Sequence, residues 1–164
     1  MCGFMNTSIL QTTVKEDVMK VLLVDDDVDD LQAFAAAIEF LKLPVELIYA
    51  RDSKQLFYYL ETEADLKLVL LDINMPLKNG LECLKELKSI ERFKDIPIII
   101  FTVSVRQKDI DTAYEYKAHY YVVKPYAREN FYQTVKKVFK VDWTRKQPIP
   151  PKDDFVINMA YLKF

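Results

Sequence analysis

The segment KVLLVDDDVDDL, residues 20–31, runs an apolar stretch directly into Asp25, Asp26, Asp27, Asp29 and Asp30. Carboxylates this close repel one another, and each one withdrawn from water is costly unless a cation answers it. Three later apolar stretches also end in reactive residue types: LLDINMPLKNG carries Asp72, IIIFTVS carries Thr102 and Ser104, and YYVVKPY carries Lys124. Singly, each has a plainer reading. Asp29 and Asp30 read as solvated acids at a helix start, where the dipole favours them. Asp72 is as well suited to capping a helix, and a lone threonine or lysine at a strand end is ordinarily structural or solvated. Together and in this order, they specify a site where acid, hydroxyl and ammonium converge.

Convergence requires elements that bring the four stretches side by side. Apolar runs at residues 20–24, 45–49, 66–71, 97–101 and 120–123 have the look of strands buried on both faces. Between them, Leu31, Phe34, Ala35, Ile38 and Leu41 share one helical face, as do Leu81, Leu84, Leu87 and Ile90, and Phe131, Val135, Val138 and Phe139. Residues 53–60 and 107–117 fill the second and fourth helix positions with weaker patterns. Five strands alternating with five helices predict an α/β fold, a doubly wound five-stranded parallel sheet with helices on both faces. Such a sheet places chemistry in the crevice beyond the carboxyl ends of its strands.

The 164-residue length suits one domain with a real core. A net charge of −2 and 51% hydrophobic residues argue against general disorder and against a nucleic-acid-binding surface. Cys2 and Cys83 offer neither a disulfide framework nor a metal pair, which fits a reducing cytosol. No basic leader and no long uninterrupted apolar span is present, so a cytoplasmic protein with no membrane association is expected.

The motifs LLVDD, LLDINMPLKNG, IIIFTVS and YYVVKP, in this order over roughly residues 20–140, resemble the receiver domain of response regulators, of the chemotaxis-regulator type. The resemblance implies a flavodoxin-like sheet of order 2-1-3-4-5. It implies that Asp72 is phosphorylated by a histidine kinase or a histidine phosphotransfer protein, and that Asp25 and Asp26, with Asp72 and the backbone carbonyl of Asn74, hold Mg²⁺ or Mn²⁺. Lys124 then matches the family's lysine, and Thr102 with Tyr121 its hydroxyl and aromatic switch. Pro76 and Gly80 shape the turn after Asp72, and Lys124 with Pro125 matches a pair often joined by a cis peptide. A carboxylate attacking phosphohistidine approaches a dianion, so a hard cation and an ammonium are both needed, and the cation is the partner that the aspartates ask for. Phosphorylation would draw Thr102 inward and let Tyr121 follow, a population shift rather than turnover of an external substrate, so an enzyme is not expected.

Two positions depart from the pattern, Val103 and Lys117. Val103 follows Thr102 where a small residue is usual; it is expected to slow access to the site, with Ser104 and the Asn74 side chain also at the approach. Lys117 stands where a glycine often precedes the alanine. His119, beside it, reads as a surface residue. Gly80, one of two glycines, reads as serving either a positive φ or a close helix approach.

Residues 1–18 read as an arm, 19–141 as the receiver, and 142–164 as an extension with no effector domain. That extension, Pro-rich and then apolar, could fold back, complete a homodimer through the face of the fourth helix, fifth strand and fifth helix, or occupy a partner. The helix exit IERFKDIP and the tryptophan after the last helix resemble the small receivers paired with phytochrome-type or hybrid histidine kinases. Other acidic motifs fail: a calcium loop starting at Asp25 would need glycine at Asp30 and glutamate at Ala36, and the DxD spacing of haloacid-dehalogenase-type phosphatases is off by one place. A phosphorylation-independent interaction module and, less favoured, a small Mg²⁺-dependent phosphatase are the other readings.

Overall fold

The computed structural model describes residues 18–159. In chain order it contains β1 (Met19–Val24), α1 (Val28–Phe40), β2 (Val45–Ala50), α2 (Ser53–Thr62), β3 (Leu66–Leu71), α3 (Gly80–Ser89), β4 (Ile98–Thr102), α4 (Gln107–Glu115), β5 (Tyr120–Val123), α5 (Arg128–Val138), a 3₁₀ turn (Lys152–Asp154) and β6 (Val156–Ile157). The sheet is parallel throughout, in the order β2-β1-β3-β4-β5-β6. The order over the first five strands is the expected one; β6 is an addition.

Alternation along each strand sorts the core into two layers. Val21 and Leu23 of β1 pack with Phe34, Phe101 and Phe131, whose rings meet edge to face at 5.5–6.1 Å. Leu22 and Val24 face the other way, onto Leu56, Leu71 and Leu84. With helices covering both faces, the sheet reads as unbroken apolar runs, and polar residues appear only where the strands end.

Three hydrogen bonds carry the ladder one step beyond those ends. The amide of Asp25 donates to Ala50 O, that of Asp72 to Val24 O, and that of Lys124 to Thr102 O, at 2.8–2.9 Å. They fix the three residues at neighbouring heights on one rim of the sheet.

The extension folds back. Trp143 is buried, donating its indole N–H to Val138 O at 2.9 Å and meeting His119 and Tyr120 edge to face. Phe155 is fully buried against Tyr114 and Tyr121, its carbonyl accepts from the Tyr121 amide at 3.0 Å, and Lys152 pairs with Asp111 on α4. The expected five-stranded sheet is therefore corrected to six strands, because the open edge of β5 offers amides and carbonyls that β6 pairs. The surface reading of His119 is corrected as well. The residue is 8% exposed because Trp143 and Gln147 cover it, and burial, aided by nearby Lys88, lowers its imidazole to about 4.

The bond between Lys124 and Pro125, whose isomer the sequence left open, is trans; among the described residues there is no cis peptide. Lys124 reaches the rim without it, since its amide continues the ladder on Thr102 and its side chain is drawn in by carboxylates. Lys117 has φ 66°, the left-handed conformation that a glycine would adopt at less cost. Of the arm at residues 1–18, only Val18 lies within the described residues, and residues 160–164 lie outside them.

Candidate functional site at the carboxyl ends of the strands

The aspartates after β1 divide their work by position. Asp25 is buried, its Oδ1 accepting from the Asp27 amide at 3.0 Å. Asp26 is exposed. Asp27 is the N-cap of α1, its side chain accepting from the Asp29 amide at 2.9 Å, so the first helix is started by the acidic run itself. Asp29 and Asp30 lie in the first turn of α1, as the dipole argument requires. Asp30 does more than that argument assigned to it, because Lys124 Nζ donates to its Oδ2 at 2.8 Å. The solvated reading of Asp30 is thereby corrected: the first turn of α1 faces the end of β5 and brings its carboxylate within reach of a buried cation.

Asp72 follows β3 and is buried at 6% exposure. It caps no helix, since α3 begins with Asn79 in a capping box with Glu82. Oxygens of Asp25, Asp26 and Asp72 all lie within 4.8 Å of one another. Burial is the main cause that raises the Asp72 carboxyl to about 6; the Lys124 ammonium works against it, the charge of Asp25 adds to it, and the Thr102 hydroxyl and Ile73 amide lower it by hydrogen bonds. Asp25 is raised by burial too, with Lys124 opposing.

Lys124 lies 2.5 Å from Asp25 Oδ2 and 3.8 Å from Asp72 Oδ1. Burial is the largest influence on its ammonium and lowers its pKa, but Asp72 and Asp25 together outweigh it, and the net shift is upward. One lysine thus answers three carboxylates. The Oδ1 of Asp72 is buried with no hydrogen-bond partner, an expense that a hard cation on the carboxylate cluster would remove. The donor set, carboxylate oxygens only, fits a divalent cation of that kind.

The turn after Asp72 explains its glycine. A Cβ on Gly80 would come 2.0 Å from the carbonyl oxygen of Asp72, so α3 starts in contact with the backbone of Asp72. Of the two reasons considered for Gly80, close approach is the one observed; the positive φ in this turn belongs to Leu77, at 70°. Pro76 accepts from the Lys78 amide at 2.9 Å within the same turn, and Asn74 stands exposed at the lip, two residues past Asp72.

Thr102 is fully buried at the end of β4. Val103 is 47% exposed and lines, with Asp27, Asp30, Lys124, Pro125 and Tyr126, a cavity of about 480 Å³ beside the carboxylates. Tyr121 is fully buried in the opposite layer from Tyr120, as strand alternation required, and its hydroxyl donates to Ser104 O at 3.0 Å. Ser104 is itself tied to Asp109, a buried acid on α4 that carries no mark of its role in the sequence. Among the described residues no helix is long and apolar enough to cross a membrane.

Known proteins resemble the chain in sequence and fold. The response regulator receiver domain profile matches residues 21–136. The chemotaxis protein CheY1 of Helicobacter pylori is 32% identical over 108 residues, covering 66% of this chain and 86% of its own. Among solved structures, the phosphorylated cyanobacterial phytochrome response regulator RcpA superposes with a TM-score of 0.72 at 28% identity, over 81% of this chain and 99% of its own. The Mn²⁺-bound response regulator Rcp1 gives 0.70 at 27% identity over the same shares. A match over more than two thirds of the chain, with the acidic rim, buried threonine and buried lysine all at strand ends, leaves one assignment: the chain belongs to the response-regulator receiver family.

Proposed function

We propose that the protein is a cytoplasmic single-domain phosphoacceptor, which takes a phosphoryl group on Asp72 from the phosphohistidine of a histidine kinase or histidine phosphotransfer protein. The observation that carries the reading is the buried Oδ1 of Asp72, without a hydrogen-bond partner, beside Asp25, Asp26 and Lys124. An Asp72 oxygen attacks phosphorus, the phosphorus–nitrogen bond breaks, and the electron pair leaves on the donor imidazole. With its carboxyl at about 6, Asp72 is mostly ionised at neutral pH and ready as the nucleophile. When bound by Asp25, Asp26, Asp72 and the Asn74 carbonyl, Mg²⁺ or Mn²⁺ supplies positive charge at the phosphoryl oxygens. Lys124 supplies the second positive charge and Thr102 a hydroxyl donor, with Tyr121 following as the aromatic half of the switch. The protein acts stoichiometrically, and its slow self-dephosphorylation is not turnover of an external substrate.

A second copy, docking through α4, β5 and α5, would meet the outer surface of the folded-back extension rather than bare β5. One observation favours the other reading, a phosphorylation-independent interaction module: Tyr121 is already inward with its hydroxyl engaged.

The test is intact mass after incubation with Mg²⁺ and an active histidine kinase, or a small acyl or amido phosphate, beside Asp72→Asn. Metal-dependent gain of one phosphoryl group, absent in the variant, is expected. No gain from either donor by folded, metal-bound protein would turn the assignment to the interaction module.

A further inference from the structure

Asp109 is a buried carboxylate with no part in the chemistry at Asp72. It stands in the first turn of α4, where the dipole favours an acid, and its amide donates to Arg106 O at 3.0 Å. One of its oxygens, Oδ2, accepts from Ser104 Oγ at 2.6 Å and from Arg106 Nε at 2.9 Å. Both donors lie in the loop between β4 and α4, in which Val103 and Val105 are exposed and contribute little packing. Ser104 in turn links the two residues of the switch: its amide reaches Thr102 Oγ1 at 3.4 Å and its carbonyl accepts the Tyr121 hydroxyl at 3.0 Å.

We propose that Asp109 is the positioning residue of the switch: its carboxylate pins Ser104 and Arg106 so that the Ser104 carbonyl holds Tyr121 inward before any phosphoryl group arrives. The proposal rests on the phosphoacceptor reading, in which Thr102 and Tyr121 form the switch, and adds the residue that sets its resting balance. A loop held in this way has its ordering cost met in advance. Ligands that favour inward Tyr121 then bind more tightly in proportion to the fraction already inward. Without the carboxylate, the loop keeps the longer bonds from the Ser104 amide to Thr102 Oγ1 at 3.4 Å and from the Arg106 amide to Ser104 Oγ at 3.3 Å, and the tyrosine hydroxyl loses a fixed acceptor.

The experiment uses the full chain with 3-fluorotyrosine at position 121, followed by fluorine NMR with and without Mg²⁺ and beryllium fluoride as the phosphoryl mimic. Asp109→Ala is expected to shift the donor-free Tyr121 signal toward an exposed or exchanging state. The mimic is expected to restore the inward signal, at an apparent affinity weakened by about threefold or more. Asp109→Asn keeps an acceptor for Ser104 and is expected to fall between wild type and Asp109→Ala. Should Asp109→Ala fail to fold, Ser104→Ala removes the link while leaving the carbonyl in place, and the same shift is expected. A Tyr121 signal and mimic affinity unchanged from wild type in the folded variant would overturn the proposal. Wild-type protein that binds no mimic would instead overturn the phosphoacceptor reading, and the donor-free spectra would still decide the role of Asp109.

Discussion

The ammonium of Lys124 lies 2.5 Å from Asp25 Oδ2 but 3.8 Å from Asp72 Oδ1, so in the unphosphorylated protein the lysine leans away from the acceptor and toward its neighbour. Both carboxylates are buried, and removing the one cation that pairs with them among the described residues leaves their charges uncompensated. Lys124→Met is expected to cost about 3–5 kcal/mol in metal-free protein and distinctly less in saturating Mg²⁺, which occupies the same field. Urea unfolding in both conditions measures the difference. Equal losses would mean that lysine and cation do not share the cluster.

Metal affinity should depend on pH through Asp72. Its carboxyl is raised to about 6 by burial, so below that pH a proton must leave before a cation can bind. Apparent Mg²⁺ affinity is expected to be flat above about pH 7 and to fall about tenfold per pH unit once well below 6. In the metal-free protein the sign is the reverse. The raised group contributes stability that is complete below the ordinary value of 3.8 and lost as pH rises through 6. Titration calorimetry at pH 5 and pH 7.5 separates these trends; equal affinities would remove Asp72 from the metal site.

Val103 is 47% exposed and shares a cavity with Lys124 and Asp30, so its methyl groups are expected to narrow the approach of water and small donors along that side of the lysine. Val103→Ala is expected to speed loss of the phosphoryl group severalfold and to improve use of small phosphodonors, read by intact mass over time. An unchanged rate would show that water reaches Asp72 by another route.

His119 makes attachment of the extension sensitive to acid. The imidazole is held at about 4, below its ordinary 6.5, by burial and then by Lys88, while the Gln147 backbone accepts from it and Trp143 covers its ring. Because the unfolded chain takes up the proton first, this stability is complete above pH 6.5 and is lost as pH falls toward 4. The stability advantage of wild type over His119→Gln is expected to shrink by about 2 kcal/mol between pH 7 and pH 5. A constant difference would place the histidine outside the linkage.

Lys117 holds a left-handed backbone at φ 66° with its side chain exposed. Lys117→Gly removes the steric cost of a Cβ there and is expected to stabilise the protein by about 1 kcal/mol, the strain relieved exceeding the entropy that glycine adds to the unfolded chain. A loss of stability in thermal melts would show that the lysine is held by interactions worth more than the strain.

The acidic rim was legible because its residues sit where apolar runs stop, so a strand pattern alone put Asp25, Asp72, Thr102 and Lys124 at one edge. Gly80 could be noticed by its rarity, yet only the fold distinguishes close approach to Asp72 from a left-handed turn. Elsewhere the sequence was silent for physical reasons. Two residues, Val156 and Ile157, make no periodicity, and their pairing with β5 is set across more than thirty residues of chain. His119 is polar and sits two residues after the exposed Lys117 in a turn, so its burial follows from the distant Trp143 rather than from its neighbours. Asp109 and Asp30 look like ordinary solvated acids of amphipathic helices, and only the tertiary placement of Ser104 and Lys124 gives each a partner.

The sixth strand also bears on how the molecule behaves in a crowded solution. A parallel sheet that stopped at β5 would end in four residues of unsatisfied backbone, a template on which a stray strand from another chain could grow. Pairing with Val156 and Ile157 replaces that template with a two-residue rim, and Phe155 fills the apolar groove beneath it. The chain thereby carries its own safeguard against edge-to-edge aggregation.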